Sequence, residues 1–128
     1  MSSGDVRVGE NTWIGPFTLL DGSGGLEIGE WCSIAAGAQL YSHDTVAWAL
    51  SGGVASRIRT PTKVGDRCYV GPLSIIARGI TVGSGAIVAA NSFVNSDVAS
   101  GTAVGGSPAR LLGRVLLSDD GSFSIERS

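Results

Sequence analysis

Val64-Gly65-Asp66-Arg67-Cys68-Tyr69-Val70-Gly71-Pro72-Leu73-Ser74-Ile75-Ile76 obeys one rule: an aliphatic residue returns every six positions. The rule continues through Val82, Val88 and Val94, and it holds upstream at Val8, Ile14 and Leu20. After a shift of two it resumes at Ile28, Ile34 and Leu40, so twelve hexads open on Val, Ile or Leu. Those three residue types make up about a quarter of the chain, so so long a regular run is not chance. A helix would place apolar residues three and four apart, and a simple strand would alternate. A period of six fits neither. It fits a coil of three short strands and three corners, in which the first residue of each hexad points inward. The next position is Gly in half of the hexads (Gly9, Gly15, Gly29, Gly65, Gly71, Gly83), relieving crowding where the backbone turns. The fifth is small or β-branched, as at Thr12, Cys32, Ala38, Cys68, Ser74, Ala86 and Ser92. The expectation is an all-β parallel β-helix of about four coils, 8–25, 28–45, 64–81 and 82–99.

Composition agrees. Charged residues are 16% of the chain, too few for a disordered segment, and 4 Pro beside 20 Gly exclude collagen. A formal net charge of −2 leaves no basic footprint for nucleic acid. The polar start Met1-Ser2-Ser3-Gly4-Asp5 lacks the apolar core of a secretory signal, and no apolar run approaches the ~20 residues of a membrane span. Cys32 and Cys68 match no metal spacing, so two buried, reduced thiols in a cytoplasmic protein are expected.

The chain resembles the hexapeptide-repeat acyltransferases over about residues 6–115. The resemblance is carried by Val-Gly-Asp-Arg-Cys-Tyr-Val-Gly-Pro (64–72), by Ile-Thr-Val-Gly-Ser-Gly-Ala-Ile-Val-Ala-Ala-Asn-Ser (80–92) and by Ala-Val-Gly-Gly-Ser-Pro-Ala-Arg (103–110). It implies a left-handed winding, acetyl-CoA as cosubstrate with no metal, and a homotrimer whose active sites lie between subunits. It also implies cofactor contacts at Pro72, Ala90, Asn95, Ser96 and Arg110, the last meeting the nucleotide phosphates. The family often carries a second basic residue three positions on; here that position is Gly113, followed by Arg114.

Function is expected where the repeat breaks, because solenoid insertions become loops on the binding face. The smaller break, Asp21-Gly22-Ser23-Gly24-Gly25, reads as a bulged corner. The larger, a loop at about 46–63 holding Trp48, Arg57, Arg59 and Pro61, follows directly on His43, the single histidine. In sugar and xenobiotic acetyltransferases of the resembled family a coil ends in a His-containing motif before such a loop, which implies that His43 is the catalytic base. Neutral imidazole can take the acceptor's proton and return it to the CoA thiolate, while a backbone N–H stabilises the oxyanion. Asp44 is adjacent to His43, but adjacency does not place it to orient the ring. Tyr41 and Trp48 are candidates to stack on an acceptor sugar, and Asp21 to hold one of its hydroxyls; Tyr41 and Trp48 equally suit a core cap and Asp21 a turn. Arg57 and Arg59 suit a nucleotide or an acidic sugar.

The reading is therefore a single domain, 1–128, with coils at about 6–99 and a C-terminal cap and tail at 100–128. Leu111, Leu112, Val115, Leu116 and Leu117 are expected to close the last coil as a short helix or strand, and the polar tail 118–128 to be poorly ordered. The expected activity is acetyl transfer to a hydroxyl or amine of a small acceptor, a sugar or nucleotide sugar. A γ-type carbonic anhydrase would need several histidines around zinc. The alternative is a non-catalytic β-helix scaffold, which would have no use for His43.

Overall fold

The computed structural model describes residues 1–128, and it is almost entirely β. The hexads appear as two-residue strands such as Ser33–Ile34, Tyr69–Val70 and Ile87–Val88, in which the first side chain faces out and the second in. That polarity follows from the two-residue period of a strand. Stacking is parallel and in register, which gathers the inward residues into three ladders. One runs Val8, Ile28, Val64, Val82 and Val98. The second runs Ile14, Ile34, Val70, Val88 and Val104, and the third Leu20, Leu40, Ile76 and Val94. Ile34, Leu40, Val64, Val70, Ile76, Val82 and Val88 have no exposed surface, so the ladders are the core.

The residue after each inward aliphatic donates its N–H to the coil above, as in Gly15 to Ile34 O at 2.8 Å and Gly71 to Val88 O at 2.8 Å. At this spacing a Cβ on Gly29 would stand 2.7 Å from Gly65 O, which accounts for the glycine column behind the first ladder. Cys32 and Cys68 are buried and free; their thiols donate to Gly65 O at 2.9 Å and Gly83 O at 3.1 Å.

Two of the ladders have five levels rather than four. Val98 follows Val94 by four positions instead of six, which ends the hexad count, yet it bridges Val82 and starts a further turn. The loop also differs from its expected limits. It leaves at His43–Asp44, which pairs antiparallel with Ile58–Arg59, and the coil is already restored at Thr62–Val64 against Leu26–Ile28. Between them the helix Val46–Leu50 buries none of its residues.

The C-terminal end is a hairpin. Thr102–Gly106 pairs parallel with Ile87–Val88 on one side and antiparallel with Ala109–Leu117 on the other, which in turn pairs with Phe123–Arg127. The tail expected to be poorly ordered is thus the outer strand. Its signal has a period of two, Val115 opposite Ile125 and Leu117 opposite Phe123, to which a count by sixes is blind. The hairpin covers the last strand edge of that sheet. No helix of the chain is long and apolar enough to cross a membrane.

Truncation of a ladder residue should be costly. Ile34→Ala is expected to lose about 2–5 kcal/mol, while Leu50→Ala, on the exposed helix, stays within about 0.5 kcal/mol. Urea unfolding of both variants at one protein concentration checks this; equal losses would show that the ladders are not the main source of stability.

Candidate active site

Both breaks in the repeat lie at one corner of the prism, on successive coils. At the first, Gly4 pairs with Gly22 and Val6 with Leu26, so Ser23–Gly25 bulge opposite the single residue Asp5. The bulge is packed against the neck of the larger loop: Gly24 N donates to Ser42 Oγ at 2.9 Å, and Thr60 N donates to Ser42 O at 3.0 Å. A Cβ on Gly24 would meet Ser42 O at 2.1 Å, so only glycine fits there.

This packing brings Asp21 under His43. Asp21 is 4% exposed, and its Oδ2 lies 2.5 Å from His43 Nδ1. Ser42 N donates to the same oxygen at 2.9 Å, Ser23 N donates to Oδ1 at 3.0 Å, and Ser42 Oγ donates to Asp21 O at 2.6 Å. Burial alone would push the carboxyl up. The Ser42 N–H, the His43 ring and Ser23 outweigh it and hold Asp21 well below the ordinary carboxylate range. A carboxylate that accepts at Nδ1 fixes the tautomer with the proton there, so Nε2 carries the free lone pair.

His43 is half-buried and opens onto a cleft of about 430 Å³ lined by Tyr41, Asp44, Ile75, Arg78 and Phe93 among others. Tyr41 stands edge-on to the imidazole, with ring centroids 6.4 Å apart, and its hydroxyl donates to Gln39 Oε1 at 2.7 Å. Asp44 does not orient His43. It pairs with Arg78, whose guanidinium holds the Asp44 carboxylate below its ordinary range and also donates to Thr60 Oγ1 at 3.0 Å. Arg78 thereby clasps both sides of the loop's neck.

Of the residues singled out from the sequence, His43, Asp21 and Tyr41 come together. The carboxylate of Asp21 turns to the imidazole rather than to the cleft. Trp48 lies on the loop, 52% exposed. Asn95 and Ser96 follow Val94, which stacks on Ile76, so they sit one coil beyond Arg78 at the His43 corner. Pro72 and Ala90 lie at the next corner, across the face formed by the third ladder, and Arg110 is exposed on the final hairpin. One chain does not unite these two groups. Arg78 and Ser42 are absent from the residues expected from the sequence. The available signal was positional: Arg78 follows Ile76 nearly as His43 follows Leu40, one coil apart.

Because Asp21 is held low in the fold, its charged form stabilises the protein above the unfolded value of about 3.9, and that contribution is lost as pH falls through the folded value. Asp21→Asn should therefore cost about 1–3 kcal/mol at pH 7, with the gap to the parent protein narrowing at pH 3. Urea midpoints at the two pH values decide; an undiminished gap at pH 3 would mean that the charge is not what matters.

Comparison with known proteins agrees with this architecture. Residues 61–96 match the family described as bacterial transferase hexapeptide (six repeats). The chain is 35% identical over 113 residues to serine acetyltransferase 2 of Arabidopsis thaliana, covering 88% of this chain and 33% of that protein. Among solved structures it is similar to a maltose O-acetyltransferase from Clostridium difficile, with 27% identity, a TM-score of 0.74, and coverage of 85% and 58% of the two chains. An N-acyltransferase from Bacillus cereus, solved with dTDP-4-amino-4,6-dideoxyglucose and coenzyme A, shares the fold at a TM-score of 0.80 and 22% identity, over 88% of this chain and 65% of that one. The chain spans a third of the length of the Arabidopsis relative and less than two thirds of either solved structure. Residues 61–96 thus carry the hexapeptide repeat of that family, and the three ladders share the fold of the solved acetyltransferase structures.

Proposed function

We propose that the chain is an acetyl-CoA-dependent acetyltransferase that acylates a hydroxyl or amine of a small acceptor, a sugar or nucleotide sugar, with His43 as general base. The observation that carries this reading is the Asp21–His43 pair, with Nδ1 committed to a buried carboxylate and Nε2 left free beside an open cleft. That is the arrangement a proton-transfer catalyst needs. Similar proteins named as a serine acetyltransferase and a maltose O-acetyltransferase support acyl transfer.

In this mechanism His43 Nε2 accepts the acceptor's proton as its oxygen or nitrogen attacks the thioester carbonyl. Asp21 stabilises the imidazolium so formed, and a backbone N–H supports the oxyanion. As the tetrahedral centre collapses and the C–S bond breaks, His43 returns the proton to the departing thiolate. Tyr41 and Trp48 flank the acceptor.

The expected cofactor residues favour a side-by-side assembly. Pro72 and Ala90 at one corner, and Asn95 and Ser96 at the next, form a single groove only if two prisms stand side by side, with Arg110 near the phosphates. Arg110 makes no ion pair within the chain and so is available to a phosphate. Phe17 and Leu73, 91% and 64% exposed, project from the same corner as Pro72 and are the kind of surface a neighbouring subunit would cover. A homotrimer with active sites between subunits meets both demands.

His43→Ala should lower kcat/KM for acceptor-dependent release of CoA by about 10²–10⁴-fold, with an unchanged elution volume and a urea midpoint lowered by the loss of Asp21's partner. Full activity in this variant would sink the mechanism. Light scattering of the parent protein should give three times the 13.0 kDa chain mass. A monomer that binds no acetyl-CoA would favour a scaffold role instead.

A further inference from the structure

A second cleft, about 670 Å³ in volume, lies on the loop beside the first and is lined by Thr45, Trp48, Ser56, Arg57 and Arg59. Thr45 lines both clefts, so the two adjoin at the strand that carries His43. The chemistry of the lining is one-sided. Two guanidinium groups and two hydroxyls can donate, one aromatic ring can stack, and no carboxylate is present. The chain's ion pairs engage Arg7, His43, Arg78 and Arg114, leaving both loop arginines without an acidic partner. Asp44, the acid on the same ribbon, is held by Arg78, and its pairing with Ile58 sets it on the opposite face of the ribbon from Arg59. The chain as a whole is net negative, so this positive cleft is a local construction and not part of a general basic surface.

Its position bears on the reaction. His43 pairs directly with Arg59, and residues so opposed in an antiparallel pair share a face with Cα atoms ~5 Å apart. Arg57, just before that strand, lines the same cleft as Arg59. The forked, always charged guanidinium suits the paired oxygens of a phosphate or carboxylate. Trp48, half-exposed beside them, offers a flat apolar surface to a base or a sugar ring.

Resting on the acetyltransferase reading, we propose that the acceptor is anionic: Arg57 and Arg59 bind its phosphate or carboxylate group, Trp48 packs on its ring, and its nucleophile is thereby presented to His43. The arginines are acceptor-binding residues, distinct from the phosphate contact of the cosubstrate at Arg110.

Calorimetric titration of the full-length protein tests this without relying on turnover. Uridine diphosphate, glucuronate, methyl glucoside and CoA are the four probes, used against the parent chain and against Arg57→Gln and Arg59→Gln. The expected result is binding of uridine diphosphate or glucuronate but not of methyl glucoside, weakened about tenfold or more in each variant and by added salt, with CoA affinity unchanged. Binding of the diphosphate over the carboxylate would identify a nucleotide-linked acceptor, and the reverse a sugar acid. Weakened CoA binding in the variants would overturn the proposal by assigning the arginines to the cosubstrate. Failure of both anions to bind would overturn it while leaving acetyl transfer itself intact. Absence of CoA binding in the parent chain would instead count against the acetyltransferase reading, whatever the anions do.

Discussion

Each coil stands on the contact between an aliphatic side chain at the head of a hexad and its counterpart one coil above. Burial of these side chains supplies the favourable energy, and the two-residue strands that carry them would have no stability alone. Because the contacts are in register, the inward residue fixes the height and angle of everything around it. The corner residues inherit that order, and so does any loop that leaves from a corner.

The candidate site exploits that inheritance at one place. A bulge of two extra residues at Asp21–Gly25 and an excursion from His43 to Pro61 begin at the same corner on adjoining coils. Had they arisen at different corners, Asp21 and His43 would be separated by a face of the prism. Stacked as they are, the bulge turns a buried carboxylate toward the imidazole, and Ser42 ties the two levels by accepting from Gly24 and donating to Asp21. Arg78, one coil on, secures the loop from the other side through Asp44 and Thr60. The candidate site is thus a three-coil structure, although its two principal residues lie 22 positions apart.

Much of this was legible beforehand. The six-residue period announced a solenoid, named the ladder residues and located the loop beside the single histidine. It stumbled where the period changed. A spacing of four between Val94 and Val98 hides a further turn, and the alternating tail carries no six-residue signal because it pairs as an antiparallel hairpin. The place of Asp21 in a bulge is legible in the sequence, but its partner is not, since a contact across coils depends on how much chain the bulge consumes.

Sequence by itself determined the solenoid, because a strict six-residue period of aliphatic residues is buried by stacked coils and by neither a helix nor a simple strand, and it marked His43 by rarity and by its loop. Only the tertiary structure decided which acid faces that histidine. Asp44 is its neighbour in the chain yet serves Arg78, whereas Asp21 reaches it because parallel stacking at one coil per level sets residues some twenty positions apart side by side.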